Sequence, residues 1–314
     1  MNKRSLIFVI PTLLAAIVAI YFLFKPNPIL IGFQPGSVNY PMMHAVNNGF
    51  LEKQNLEFEE RIFLSANDAL DALLAESIFI DAVIPLQNIA KIEYNNPNTL
   101  GAIAFLISDK DHPLDYLIAS PKSGINSPED LNGKTLVVFP GTYSESMTKL
   151  TLEKIGVTNV KFIKRSPADM PAAIQTGQAD AGIFYDPVAT SAVKNGWGKL
   201  IEAAFWENHL MPNIVVGAYT YNKALSQRYP DEMNKIQKGI IEAILDSRQN
   251  PNEAKLSASK YLQKFSNILT EVPDSRVELS SEISIDIINE TIKFYVDNNV
   301  LESYVDLKGL LKIE

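Results

Sequence analysis

Residues 29–50 read ILIGFQPGSVNYPMMHAVNNGF, and this stretch decides the fold class. Ile29–Phe33 is a short apolar run followed by a polar loop, which predicts a buried strand. Pro41 suits the first turn of a helix, and Gly49 marks its predicted end because glycine favours the position after a helix. A strand, a loop and a helix in succession are typical of a layered α/β protein.

Short apolar runs alternate with helical patterns from this stretch to about residue 222. The runs predict further strands at Leu56–Phe63, Phe79–Ile84, Asp115–Ser120, Thr135–Phe139, Val160–Ile163, Asp180–Phe184 and Ile214–Tyr219. Beyond residue 222 the period is helical, with apolar faces formed by Met233, Ile236, Ile240 and Ile244 and by Ile285, Ile288, Ile292 and Tyr295. The sequence therefore predicts an α/β body with a helical C-terminal region.

The chain is longer than one typical domain, and two places look like crossings between two domains. Near Leu117–Lys122 an apolar strand gives way to a Pro/Gly turn, and near Met211–Val216 the chain passes a proline and re-enters an apolar run. A domain inserted between two such crossings has a two-strand hinge, beside which ligands collect. We therefore predict an N-terminal segment over residues 1–25, a discontinuous lobe 1 over 26–119 and 217–314, and a lobe 2 over 120–216.

The N-terminal segment contains an uncharged apolar stretch, Leu6–Phe24, preceded by Lys3 and Arg4. As a helix this stretch would be about 28 Å long at ~1.5 Å per residue, close to the thickness of a bilayer's hydrocarbon core. The basic pair ahead of it predicts a cytoplasmic N terminus and an exported body. Bulky residues end the stretch where a cleavage site would need small ones. We therefore expect residues 6–24 to be an uncleaved anchor in the inner (cytoplasmic) membrane, with a removed signal peptide as the alternative.

The composition excludes several classes of function. The formal net charge is −8 and the basic residues are scattered, whereas nucleic-acid binding needs a basic stripe. The sequence has no cysteine, which excludes thiolate nucleophiles and zinc–thiolate sites. His44, His112 and His209 share no ligand spacing. We expect no catalytic residue, no metal, no cofactor and no nucleic-acid partner.

Five phrases, in this order, resemble the exported solute-binding proteins of ABC importers, in the group that takes taurine, aliphatic sulfonates, nitrate and thiamine-pyrimidine precursors. They are AVNNGFLEK (45–53), residues 67–84 with Asp81, SPEDLNGKT (127–135), FPGT (139–142) and AAIQTGQADA (172–181) running into Tyr185-Asp186-Pro187. The resemblance covers roughly residues 29 to 220, and Asp186 stands where the family commonly has Glu. It implies a type II periplasmic-binding-protein-like clamp, in which two lobes joined by two crossover strands close on a small polar solute.

Candidate ligand-binding residues lie where strands end and helices begin. Gly141 and Thr142 follow a strand and open a helix at about Tyr143, so free backbone N–H groups would face the cleft. Ordinary helix capping would explain the same residues, and Asp186 could either meet the ligand or cap the helix that begins at Pro187. The predicted site comprises Gln34, Ser37, Asn39, Tyr40, Ser65, Ala66, Asn67, Gln87, Gly141, Thr142, Tyr143, Ser144, Tyr185 and Asp186.

With the resemblance, the sequence predicts a monomeric, membrane-anchored binding protein on the periplasmic or extracellular side, which delivers a small solute to an ABC permease and its ATPase. Aromatic walls with an acid, and no arginine in a predicted cleft loop, favour a ring bearing an amine, such as a pyrimidine, over a bare anion. Two alternatives stay open: a sensor lobe for a signalling partner, and an enzyme on the same fold acting on a small metabolite.

Overall fold

The computed structural model of the chain describes residues 29–140 and 143–311, and its strands form two separate sheets. The first sheet has the spatial order β11-β4-β10-β3-β1-β2. Its strands are β1 (Ile29–Phe33), β2 (Phe58–Ile62), β3 (Ile80–Pro85), β4 (Leu100–Asp109), β10 (Asn213–Asn222) and β11 (Arg276–Leu279). The strands β1, β2 and β3 are parallel, whereas β10 is antiparallel to both β3 and β4.

The second sheet has the order β7-β6-β8-β5-β9. Its strands are β5 (Tyr116–Ala119), β6 (Thr135–Val138), β7 (Lys161–Lys164), β8 (Ala181–Phe184) and β9 (Lys199–Ala203). Strand β6 pairs in parallel with β7 and β8, and β5 pairs antiparallel with β8 and β9. Each sheet thus mixes parallel strands with an antiparallel segment that comes from, or leads to, the other sheet.

Helices connect and cover the strands. The α-helices are α1 (Tyr40–Asn47), α2 (Ala66–Leu74), α3 (Leu86–Asn95), α4 (Tyr143–Lys154), α5 (Met170–Gln175), α6 (Val188–Lys194), α7 (Phe205–His209), α8 (Lys223–Arg228), α9 (Pro230–Gln249), α10 (Pro251–Ser257) and α11 (Ile285–Asp297). Single 3-10 turns occupy Ser37–Asn39, Glu52–Gln54, Pro128–Leu131, Ala258–Lys260, Gln263–Phe265, Leu269–Glu271 and Lys308–Leu311.

Local signals in the sequence explain several element boundaries. Ser65 caps α2 by accepting a hydrogen bond from the backbone N–H of Asp68 at 3.2 Å. The apolar stripes that predicted two long helices are buried in α9 and α11, where Ile236, Ile240 and Ile292 are fully buried. These helices pack their apolar faces inward and leave charged faces to solvent.

Three strands of the structure were not predicted from the sequence: β4, β9 and β11. Strand β4 lies between β10 and β11 and is buried along nearly its whole length. A strand buried on both faces shows a continuous apolar run without alternation, and such a run does not distinguish a strand from a buried helix.

The chain passes between the sheets at residues 110–115 and again at 204–212, which differs from the predicted lobe boundaries. Tyr116–Ala119 was assigned to lobe 1 but pairs with β8 and β9, and Asn213–Val216 was assigned to lobe 2 but pairs with β4. The turn after Ala119, closed by a hydrogen bond from the Ser123 N–H to the Ser120 carbonyl at 3.0 Å, merely ends β5. A turn signal of this kind marks a strand end and does not tell which sheet follows.

The predicted anchor over residues 6–24 lies outside the described residues. Within 29–140 and 143–311, no helix combines the length and the apolar character that crossing a bilayer requires.

A substitution at Gly217 tests how closely β10 packs against β3. A Cβ at this position would lie 2.3 Å from the backbone oxygen of Ile84, which cannot move aside as a flexible side chain could. We expect Gly217→Ala to lower the free energy of unfolding by roughly 1–3 kcal/mol, as overpacking does in well-packed cores. Chemical denaturation measures the change. Gly36→Ala is the control, because Gly36 has extended backbone and nothing within 4 Å of its Cβ position; equal losses in both variants would contradict the prediction.

Candidate ligand-binding site

The loop after β1 meets the loop after β8, although the two strands belong to different sheets. The backbone N–H of Ser37 donates a hydrogen bond of 3.2 Å to the carbonyl of Asp186. The hydroxyl of Ser275, just before β11, donates to the carbonyl of Ser37 at 3.2 Å. Predicted site residues from both halves of the chain are therefore in direct contact, and we call this the Ser37–Asp186 junction.

Three buried polar atoms at the Ser37–Asp186 junction make no hydrogen bond of ordinary geometry with a described residue. They are Oδ1 of Asn39, the hydroxyl of Tyr40 and Oδ2 of Asp186. The other atoms of these groups are engaged: Nδ2 of Asn39 donates to the carbonyl of Gln34 at 2.7 Å. Buried polar atoms are normally paired, because an unpaired one costs roughly 1–3 kcal/mol. The arrangement suits a molecule that brings hydrogen-bond donors.

Asp186 takes the capping role, one of the two roles that the sequence left open. Its Oδ1 accepts from the backbone N–H of Thr190 at 2.8 Å and from the Thr190 hydroxyl at 2.7 Å, which is the behaviour of a cap at the start of α6. Burial raises the pKa of Asp186, and the bonds from Thr190 and the nearby hydroxyl of Tyr116 oppose this rise. The second oxygen, Oδ2, is buried and makes no hydrogen bond of ordinary geometry with a described residue, so capping does not use the whole carboxylate.

Tyr40 begins α1 and is buried beside Asp186. Burial first, and the negative charge of Asp186 second, raise the pKa of Tyr40. The phenol therefore stays protonated at neutral pH and can donate or accept.

Lys255 is a residue of this region that the sequence analysis missed. Its side chain is only 8% exposed, its ammonium lies 2.6 Å from the carboxylate of Asp274, and its charge lowers the pKa of Asp186. Together with Tyr40 and Ser275 it lines an open depression of about 560 Å³. Lys255 lies in α10, in the part of the chain where the family resemblance adds little, and no local motif marks it.

Arg276 also lines this depression, but its guanidinium is used within the fold. It bonds to Oδ2 of Asp109 at 2.9 Å, to Oδ1 of Asn213 at 3.0 Å and to the carboxylate of Glu278. Asp109 ends β4, where the chain leaves the first sheet, and Asn213 begins β10, where the chain returns to it. Arg276 therefore links the two strands at the ends of the crossings. The engagement of this guanidinium within the fold favours the expectation that no arginine clamps the ligand, which remains a prediction.

Aromatic side chains of the second sheet form a cluster next to the junction. Phe139 and Tyr185 stack with centroids 4.4 Å apart and an angle of 10° between their planes. Tyr143 and Tyr185 both meet Trp206 edge to face, at 5.5 and 6.1 Å. Trp206 is fully buried in α7 and was not predicted, because the strand that precedes it, β9, was not predicted either. Ser144, next to Tyr143, is buried in the first turn of α4.

The remaining predicted residues are placed as follows. Ser65 and Ala66 are half-buried at the start of α2, while Asn67 is exposed and accepts a hydrogen bond from Asn88 at 3.1 Å. Gln87 is buried in the first turn of α3, and its side chain makes no hydrogen bond with another described residue. The contacts described for these four residues do not reach the Ser37–Asp186 junction. Gly141 and Thr142 lie outside the described residues.

Gln34 rests on a fully buried acid, Asp81 of β3. The amide nitrogen of Gln34 donates to Oδ2 of Asp81 at 3.2 Å. Burial raises the pKa of Asp81 to about 8, although the bond from Gln34 lowers it. A Cβ on Gly32 would lie 2.7 Å from Oδ1 of Asp81. The absence of a side chain at Gly32 therefore lets the backbone of β1 lie close to this carboxyl. The acid is therefore neutral at pH 7 and supports the loop that carries Gln34.

Comparison with known proteins agrees with this architecture. The protein family described as NMT1/THI5 like matches residues 38–254. A Brucella abortus protein named as a binding protein is 25% identical over 76% of this chain and 73% of the relative. A Haemophilus influenzae protein named for thiamine biosynthesis is 30% identical over 44% of this chain and 43% of the relative.

The fold matches a solved solute-binding protein. The periplasmic aliphatic sulphonate binding protein SsuA from Escherichia coli superposes with a TM-score of 0.68 at 18% identity, over 90% of this chain and 97% of SsuA. The likeness establishes the two-sheet α/β periplasmic-binding-protein fold. The resemblance that the five sequence phrases indicated is thus confirmed.

Asp81 makes stability depend on pH in a defined direction. Its carboxyl is protonated in the folded chain up to about pH 8, whereas in the unfolded chain it ionises near its ordinary value of 3.8. Stability is therefore fully present below the unfolded pKa and is lost as pH rises towards 8. We expect Asp81→Asn, which cannot ionise, to gain stability over the natural chain by up to about 1.4 kcal/mol per pH unit in this window.

Thermal unfolding of Asp81→Asn and of the natural chain between pH 5 and 9 measures this difference in stability. Asp180→Asn is the control, because Asp180 is a partly exposed acid of the second sheet that accepts from the backbone N–H of Thr135 at 2.8 Å. A constant offset between Asp81→Asn and the natural chain at every pH would contradict the prediction.

Proposed function

The chain belongs to the NMT1/THI5-like family, and on this premise we propose that it is a binding protein whose two lobes close over a small polar solute and deliver it to an ABC permease and its ATPase. The lobes are the parts built on the six-stranded and the five-stranded sheet. No chemistry is required for this task, only a preference of a few kcal/mol for the closed form, which the solute supplies by contacting both lobes. The relatives named as binding proteins support binding over catalysis.

The observation that carries the proposal is the Ser37–Asp186 junction with its three buried atoms. Asn39 and Tyr40 follow β1 of the six-stranded sheet, and Asp186 follows β8 of the five-stranded sheet, so the three atoms come from both proposed lobes. A solute that bonds to all three would hold the lobes together, which is how binding and closure become one event.

The chemistry of these atoms favours a solute that brings donors. Two of the three are oxygen acceptors, and a sulfonate or nitrate would place its own acceptors against them. The stacked pair of Phe139 and Tyr185 offers a flat apolar face nearby. An amine-bearing ring such as a pyrimidine meets both requirements, and a relative named for thiamine biosynthesis is consistent with it.

We further propose that residues 6–24 anchor the protein, as a monomer, in the cytoplasmic membrane with its body on the outer side. The stretch is uncharged, long enough to span a bilayer and preceded by Lys3 and Arg4. A tether of this kind raises the local concentration of the binding protein at its transporter.

Calorimetric titration of the full-length chain in detergent tests the proposal. We expect heat of binding with an aminopyrimidine precursor of thiamine and little or none with taurine, an alkanesulfonate or nitrate. Asp186→Asn should weaken binding roughly tenfold or more, because hydrogen bonds to a charged group contribute about 1.5–3 kcal/mol. Glu153→Gln is the control: it replaces an exposed carboxylate in α4, and the variant should bind like the natural chain. Absence of heat with every one of these solutes would refute a solute-binding role within this group.

The anchor has its own test. After cell fractionation, we expect the protein in the membrane pellet after an alkaline carbonate wash, with an N terminus that still includes residues 6–24. Deleting residues 6–24 should remove the protein from that pellet. A mature N terminus near residue 25 would show that the segment is a cleaved signal.

A further inference from the structure

Two buried acids lie on the two segments that connect the sheets. Asp115 ends the first crossing, and Glu207 lies in α7 on the second. Oδ2 of Asp115 accepts from the backbone N–H of Trp206 at 3.2 Å, and the Asp115 carbonyl accepts from the N–H of Ala204 at 2.9 Å. The crossings are therefore bonded to each other where the acids meet.

The pair is buried and has few hydrogen-bond partners among the described residues. Asp115 is fully buried and Glu207 is 3% exposed. Oδ1 of Asp115 and both carboxylate oxygens of Glu207 make no hydrogen bond of ordinary geometry with a described residue, although the Ser108 hydroxyl lies close enough to act on Glu207. Burial first, and the charge of Glu207 second, raise the pKa of Asp115, and burial raises the pKa of Glu207. Burial of both acids, together with their mutual repulsion, favours the protonated form of the pair.

The other groups that face the pair are one carboxylate and four phenols. The carboxylate is Asp109 at the end of β4, which raises the pKa of Glu207 and is itself held by Arg276 and His112. Burial raises the pKa of every phenol, so each stays neutral. The phenols belong to Tyr116, Tyr143, Tyr185 and Tyr295.

Two of these phenols, which come from different parts of the chain, lie close enough to Glu207 to be influenced by its charge. Tyr143 comes from α4, which follows β6 of the five-stranded sheet, and Tyr295 comes from α11, where Thr291 bonds to the backbone of β10. The two hydroxyls interact with each other, and the charge of Glu207 contributes to the raised pKa of both. A motion that separates the sheets would part these side chains and admit water to the acids, whose ionised forms water stabilises.

We propose that Asp115 and Glu207 form a proton-sharing pair that links lobe closure to proton uptake from solvent. The inference rests on the closing motion of the proposed function. Closing removes water and returns protons to the two carboxyls, and opening releases those protons to solvent. The closed form is consequently favoured at low pH, by up to about tenfold per pH unit for each proton taken up.

A distance measurement between the lobes tests this link without any ligand. The sequence has no cysteine, so Leu64→Cys and Thr158→Cys in the full-length chain give two unique sites for spin labels. Both positions are exposed; Leu64 follows β2 of the six-stranded sheet, and Thr158 precedes β7 of the five-stranded sheet. We expect the short-distance population to fall as the pH is raised from 5 to 8, and this dependence to flatten in Asp115→Asn/Glu207→Gln.

Two further variants keep the result decisive. Glu93→Gln replaces a buried acid whose oxygens accept from the N–H groups of Asn98 and Leu100, away from the crossings, and should keep the natural pH dependence. If the double variant does not fold, Glu207→Gln alone carries the test. A distance that does not change with pH in the natural chain, or that changes equally in the pair variants, would overturn the proton link, while the calorimetric titration judges solute binding separately.

Discussion

The antiparallel pairing of β4 with β10 sets Asp109 opposite Asn213 and thereby holds both crossing segments side by side. Arg276 reinforces this pairing by bonding to both residues from β11. Within residues 29–140 and 143–311 the chain passes between the sheets only through these two neighbouring segments, an arrangement that suits the proposed rotation of one lobe relative to the other. The buried acids Asp115 and Glu207 lie on these two segments.

Polar groups without ordinary partners gather in two places. Asn39, Tyr40 and Asp186 lie at the Ser37–Asp186 junction, and Asp115 and Glu207 lie on the crossings. Apolar packing in these places would stabilise the chain more, since each unpaired buried group has a cost. We interpret the first group as the part that meets the solute and the second as the part that responds to closure. Both interpretations assign the cost to function rather than to the fold.

Much of the fold could be predicted because its signals are local. The apolar run Ile29–Phe33, the cap at Ser65 and the stripes of α9 and α11 are each set by neighbours within a few residues. The crossings were misplaced, because the turn after Ala119 carries the same residues as a linker would. Lys255 and Trp206, near the candidate site, and Glu207, on the second crossing, could not be foreseen, since no local motif marks them and their neighbours come from other segments of the chain. Gly141 and Thr142 remain predictions.

The order of strands in the first sheet has a consequence for biosynthesis. Strand β10 lies between β3 and β4, and β11 covers the far edge of β4, yet both are made after the whole five-stranded sheet. A nascent chain can complete the segment from β5 to β9 while β3 and β4 still lack their shared neighbour. Until the ribosome has passed residue 279, these apolar strands have open hydrogen-bonding edges, which are prone to mispairing. The part of the molecule that begins first along the chain is therefore the part that finishes last.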